Sequence, residues 1–103
     1  MVAEFPFPVR KELRIDTYRI ILLEPSLIPK ESDYCGRNIF CLDDNGNIIW
    51  QIEKQLYNPL NAEGCTYVGM IYHDNILKLF YSCDLRVEVD YKTGKILDTF
   101  EIR

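Results

Sequence analysis

The chain has a single histidine, His73, a single tryptophan, Trp50, and no Cys-x-x-Cys pair among its four cysteines. A zinc site would therefore have to be assembled from scattered strands, and no second histidine is present to serve a nucleophile. A glycine-rich phosphate loop and a serine in a nucleophile elbow are also missing. The sequence carries no long apolar run: Ile20-Ile21-Leu22-Leu23 falls far short of the roughly 20 residues that a membrane span needs. The opening Met1 to Arg10 is broken by Pro6 and Pro8 and holds no apolar leader core, so the expectation is a cytoplasmic protein with no membrane partner. On that expectation Cys35, Cys41, Cys65 and Cys83 are free thiols, buried or half-buried. Positive charge is not in excess either, with 12 Lys and Arg against 16 Asp and Glu, a net charge of -4. That sign excludes coating of nucleic acid or anionic lipid.

Helix signals are equally scarce. Pro8, Pro25, Pro29 and Pro59 interrupt every candidate, and only Arg10 to Asp16 admits a turn of helix. What the 103 residues do contain, at 48% apolar, is alternation with a period of two. Tyr18, Ile20 and Leu22 share one face, as do Ile48, Trp50 and Ile52. Val68, Met70 and Tyr72 alternate with Tyr67, Gly69, Ile71 and His73, and Leu77, Leu79 and Tyr81 with Lys78, Phe80 and Ser82. Val87 and Val89 alternate with Arg86, Glu88 and Asp90, and Ile96, Phe100 and Ile102 follow.

Between these runs lie hairpin turns. Asp43-Asp44-Asn45-Gly46 supplies Asn-Gly, Asp74-Asn75 reads as a two-residue type I′ turn, and Asp90-Tyr91-Lys92-Thr93-Gly94 closes a third hairpin through a left-handed glycine. The pattern predicts an all-β fold: an antiparallel meander of about six to seven strands forming a small sandwich or a partly open barrel. Residues 1–103 form a single β domain, with 1–12 open to reading as an extended arm. Two long connections, Glu24 to Arg37 and Lys54 to Gly64, are where a binding surface is expected. Tyr34 and Tyr57 lie on them, and the candidate interaction residues are Tyr34, Tyr57, Asp43, Asp44 and Glu63. For both rings, covering the sheet is the alternative role.

An internal echo links two of the hairpins. Asn38 to Trp50 and Arg86 to Leu97 each run as an alternating strand, an Asp, a nearby Gly, a polar residue and a second apolar strand. The echo resembles the outer hairpin of the pyrroloquinoline-quinone-like β-propeller repeat, apolar-Asp-x-x-Thr-Gly-Lys-apolar-apolar-Trp. Asp90, Thr93, Gly94, Lys95, Ile96 and Leu97 match it; Asp43, Gly46, Ile48, Ile49 and Trp50 match a shorter variant. Asp98 stands where the pattern has Trp. The resemblance implies propeller-blade-like hairpins and not a closed propeller, because closure takes at least about four blades of roughly 40 residues. Neither the quinone nor dehydrogenase activity carries over, as no ligand position matches.

Catalytic sets are incomplete throughout. Asp43-x-Asn45-x-Asn47 begins like a calcium loop but continues with Ile48 and ends on Lys54. His73 beside Asp74 falls on a turn, where a solvated side chain outweighs a catalytic base. Glu88 with Asp90 lies on an outward face, and Trp50 shares the apolar face of Ile48 and Ile52, which favours core packing. The expectation is therefore no enzyme, no cofactor and no metal. The leading function is a small non-catalytic protein-binding domain, of the kind of a bacterial immunity or antitoxin-like protein that blocks a protein partner. The alternatives are a homo-oligomeric β assembly, and a small-ligand-binding barrel with Tyr67, Tyr72 and Phe80 at its mouth. The acidity does not single out a decoy surface, since residues 1–52 and 53–103 each carry six basic and eight acidic side chains.

Overall fold

The alternation builds eight strands. They are β1 (Val9–Ile15), β2 (Tyr18–Leu23), β3 (Ile39–Leu42), β4 (Ile48–Gln51), β5 (Tyr67–His73), β6 (Ile76–Tyr81), β7 (Leu85–Val89) and β8 (Ile96–Glu101). The computed structural model describes residues 4–55 and 64–102. The strands form two four-stranded antiparallel meanders, β1-β2-β3-β4 (sheet A) and β5-β6-β7-β8 (sheet B). They are stacked as a small sandwich and not closed into a barrel. Sequence reading missed β1: residues 10–15 form strand and not a turn of helix, and Asp16 turns at positive φ (54°). Here pairing with β2 from Val9↔Leu23 to Ile15↔Tyr18 outweighs local propensity. The only helical piece among the described residues is a 3₁₀ turn at Pro25–Leu27.

The turns behave as their residues dictate. Asp74 and Asn75 both take positive φ (53° and 64°), and Gly46 and Gly94 close their hairpins at 82° and 77°. Both of these glycine hairpins carry a register shift, between Cys41 and Leu42 and between Glu88 and Val89.

Corresponding strands of the two sheets can be laid side by side. In sheet A the cross-strand row Leu13-Ile20-Cys41-Trp50 and the row Lys11-Leu22-Ile39 face sheet B. There they join Ile52, Tyr67, Met70, Leu77, Leu79, Val87 and Val89 in one apolar core. Each fully buried aliphatic side chain in that layer is worth about 1.5–3 kcal/mol. Trp50 closes one end. Its indole donates to the Tyr91 carbonyl (2.8 Å), and its ring lies over Gly94 in the β7–β8 turn.

At the other end Asn38, fully buried just before β3, bridges the sheets. Its amide nitrogen donates to the carbonyls of Leu23 (3.1 Å) and Tyr67 (2.9 Å). Its oxygen accepts from the Tyr67 amide (3.1 Å) and the Thr66 hydroxyl (2.8 Å).

The other face of sheet A is also buried. Ile21, Leu23, Phe40 and Leu42 pack beneath Phe5, Phe7, Ile28 and Tyr34. The segment before β1 and the Glu24–Arg37 connection are thus a lid on this sheet.

The cysteines depart from the free-thiol expectation. Cys65 and Cys83 form a disulfide with their Cα atoms 5.7 Å apart. Tyr67 and Tyr81 are paired across the β5–β6 hairpin, so the residues two positions outward on each strand, 65 and 83, extend the same register. Cys35 and Cys41 are free. Burial, reinforced by Asp43, pushes the Cys41 thiol up to about 12, and burial and then Glu31 raise that of Cys35. A thiol reagent at neutral pH is therefore expected to label Cys35 in the folded chain and Cys41 only after unfolding. Mass mapping of the labelled peptides checks this, and fast labelling of Cys41 in the folded state would contradict it.

Candidate functional site

The expected interaction residues do not converge. Tyr34 is half-buried, its ring 5.7 Å from that of Phe7 and 5.9 Å from that of Phe40, so it is part of the lid over sheet A. Asp43 organises the β3–β4 turn: its carboxylate accepts from the amides of Asn45 and Asn47 (2.9 Å each) and from the Asn47 side chain (3.2 Å). Asp44 is exposed beside it and pairs with Arg14 at 3.2 Å. Tyr57 and Glu63 lie outside the described residues. The barrel-mouth set is dispersed: Tyr67 is buried in the core, Tyr72 is exposed, and Phe80 sits on the opposite face of sheet B. His73 and Asp74 are both exposed, 3.3 Å apart on their turn. Among the described residues no group of three or more His, Cys, Asp or Glu could hold a metal ion.

The turn carboxylates have a consequence for acid stability. The Asn47 amide holds the Asp43 carboxyl below its ordinary value, the Ser26 amide and then Arg10 do the same for Glu24, and the Arg19 guanidinium does so for Glu12. A carboxyl depressed by folding stabilises the fold above its unfolded pKa, and that contribution is lost as pH falls through the folded value. The thermal midpoint is therefore expected to hold steady from roughly pH 5 to 7 and to drop below about pH 4. Asp43→Ala should lower the midpoint at pH 7 and make the acid drop shallower. A parallel fall in both proteins would remove Asp43 from this role.

Two surfaces remain as sites. The first is a cleft of about 870 Å³ beside the Cys65 end of β5, lined by Lys30, Tyr34, Cys35, Arg37, Lys54 and Tyr81 among others. Glu31 and Asp33 share its rim with these cations, and Arg37 Nε donates to the Ile52 carbonyl (3.0 Å). No single ligand charge is selected there.

The second is the outward face of sheet B. Strand pairing lays out two rows on it, Ile71-Lys78-Glu88-Asp98 and Gly69-Phe80-Arg86-Phe100. These occupy the positions that in sheet A hold Leu13-Ile20-Cys41-Trp50 and Lys11-Leu22-Ile39. The face that docks a neighbour in sheet A therefore has no docked neighbour in sheet B among the described residues.

Arg86 sits at its centre. Its guanidinium carbon lies 4.6 Å from the Phe100 ring centroid, and its Nη2 lies 3.8 Å from Glu88. Its Nε is buried without a hydrogen-bond partner. Val68 (44% exposed), Ile71 (42%) and Ile102 (43%) extend the apolar area. Aromatic side chains around a partly desolvated arginine are the composition of protein-interface hot spots. Alternation set Phe80 on the face opposite Leu79 and Arg86 on the face opposite Val87, but grouped Phe100 with Ile96; the register shift at Val89 puts Phe100 beside Arg86 instead. The missing signal was that nothing among the described residues covers that face.

No helix among the described residues is long and apolar enough to cross a membrane. Residues 2–100 match the family model described as Domain of unknown function (DUF7957). No curated protein and no solved structure matches the chain.

Proposed function

The chain belongs to this DUF7957 family, and since membership brings no activity with it, we propose from its own surfaces that it is a non-catalytic protein-binding β domain. Its contact surface is the outward face of sheet B. The observation that carries the reading is Arg86, seated against Phe100 with its Nε buried and unpartnered. The Arg86 side chain stays 37% exposed, so its guanidinium face and outer N–H donors are open to a partner's ring, carbonyl or carboxylate. Among the forms this reading takes, an immunity-like blocking role fits the net charge of -4, which favours encounter with a basic protein.

The test compares capture of partners from host extract by the wild type, Arg86→Glu, Phe100→Ser and the distant control Asp44→Ser. Capture that persists in D44S and is lost in R86E and F100S supports the face. A partner held equally by all four places binding elsewhere and overturns the assignment. Capture of a toxin-type protein encoded beside this chain's own gene is the result expected of the immunity-like form.

A further inference from the structure

We infer that the outward face of sheet B docks on the same face of a second copy of this chain, about a two-fold axis that runs along the strands between β6 and β7. This rests on the reading that the face binds protein, and it names the partner. Within the chain, one sheet stacks on the next through Trp50 over Gly94, and the position in sheet B that corresponds to Trp50 is Asp98. A third sheet added in the same sense would meet a carboxylate in place of an indole. Head-to-tail stacking of copies is thereby disfavoured, and a closed pair is left as the symmetric arrangement.

The register then decides whether the face complements itself. Rotation by 180° about a strand-parallel axis between β6 and β7 lays each strand over its partner's cross-strand neighbour: β6 over β7 and β5 over β8. Lys78 and Glu88 are paired across β6 and β7, so Lys78 of one copy meets Glu88 of the other, twice. Phe80 and Arg86 are likewise paired, so each Phe80 ring meets the other copy's Arg86 guanidinium, a cation–π contact that joins the one with Phe100.

Gly69 shares its row with Phe100, so the absence of a side chain at Gly69 leaves room for the opposite Phe100 ring. Ile71 meets Asp98, the one mismatch, on the edge strands where solvent reaches the carboxylate. The two cations, Lys78 and Arg86, balance Glu88 and Asp98, so the face is locally neutral although the chain is acidic. Four strands about 4.8 Å apart make a face roughly 19 Å wide, which puts the buried area on the order of 1,000 Å² in total. That is the low end of specific interfaces, so the dimer should dissociate at micromolar concentrations.

The experiment is sedimentation equilibrium on the full chain from about 1 to 200 µM, with far-UV circular dichroism to confirm folding of each variant. The wild type is expected to dimerise. Lys78→Glu and Glu88→Lys, each alone, should weaken the dimer at least about tenfold, because like charges then face each other twice. An equimolar mixture of K78E and E88K should dimerise again, since that pairing restores both opposite-charge contacts between chains. Gly69→Val, whose Cβ would meet only Phe80 at 3.6 and 4.0 Å, keeps the fold and should weaken the dimer by filling the space left for Phe100. It gives an independent readout where the charge variants fail to fold.

A wild type that stays monomeric at 200 µM overturns the inference, as does a dimer that K78E, E88K and G69V all leave intact. A monomer whose capture of a different protein is nonetheless lost in R86E removes the second copy and leaves the binding face standing. A monomer with no face-dependent capture removes both.

Discussion

Replacing Asn38 by Ala is expected to cost at least about 3 kcal/mol, a large part of the stability of a domain this size. The side chain is fully buried and makes four hydrogen bonds, to Leu23 O, Tyr67 O, Tyr67 N–H and the Thr66 hydroxyl. Tyr67 opens β5, Thr66 precedes it and Leu23 ends β2, so a single amide joins strand ends of both sheets where no strand pairing does. Ala leaves all four groups buried without this partner, each at a cost of about 1–3 kcal/mol before relaxation. Urea denaturation gives the difference. A loss below about 1 kcal/mol would mean that water or neighbouring groups take over the amide's role.

A second substitution separates the hydrogen-bond pattern from the packing. N38D keeps the size of the side chain and its acceptor, but sets a carboxylate against the carbonyls of Leu23 and Tyr67. Its neutral form can donate to one of them, so burial raises the pKa of the introduced carboxyl. Its contribution is then present below the unfolded pKa and lost as pH rises. N38D should therefore lie closer to the wild type at about pH 4 than at pH 7, whereas N38A should show no such recovery. Thr66→Ala, which removes one bond to Asn38 and the acceptor for Gly36 N–H (3.2 Å), should fall between the wild type and N38A.

Much of this fold could be read from alternation and turn residues, because those signals are local. Asp74-Asn75 and Gly94 force positive φ on their own, and Val87 and Val89 declare a face without reference to anything distant. Three features were hidden because they depend on partners far along the chain. β1 looks polar, with Arg10, Lys11 and Glu12 exposed, and becomes a strand because β2 offers its edge. The disulfide follows from the β5–β6 register: the Asp74-Asn75 turn alone would set residue 65 opposite 84, and the register shift between Tyr67 and Gly69 brings Cys65 opposite Cys83 instead. Asn38 looks like an ordinary polar residue at a strand entrance, and only the stacking of two sheets buries it. The proposed binding face was hidden for the opposite reason. Phe80 and Phe100 are half-buried, and that they lie at a surface becomes evident only when no third layer is found above them among the described residues.

The echo between the two hairpins is where local pattern and distant packing meet, and it sets the second large effect: Gly94→Ala should cost about 2–5 kcal/mol. Gly94 holds φ at +77°, which charges an L-residue roughly 1–2 kcal/mol, and an added Cβ would lie 2.5 to 2.7 Å from three atoms of the Trp50 ring. That ring cannot retreat easily, because its indole nitrogen is bonded to the Tyr91 carbonyl at 2.8 Å and its face closes the inter-sheet core. Trp50→Ala, which opens a cavity and leaves that carbonyl unpaired, should itself cost about 3–5 kcal/mol. The informative measurement is the double-mutant cycle. In a W50A background the steric part of G94A disappears and only the backbone part of roughly 1–2 kcal/mol remains, so the two substitutions should be less than additive by about 1–3 kcal/mol. Strict additivity, or a G94A loss within about 0.5 kcal/mol of zero, would show that Trp50 does not bear on Gly94. The same contact explains why the echo is imperfect at its last position: the tryptophan is present in the hairpin that has a following sheet to rest on, and Asp98 takes its place in the hairpin whose corresponding face meets no further sheet among the described residues.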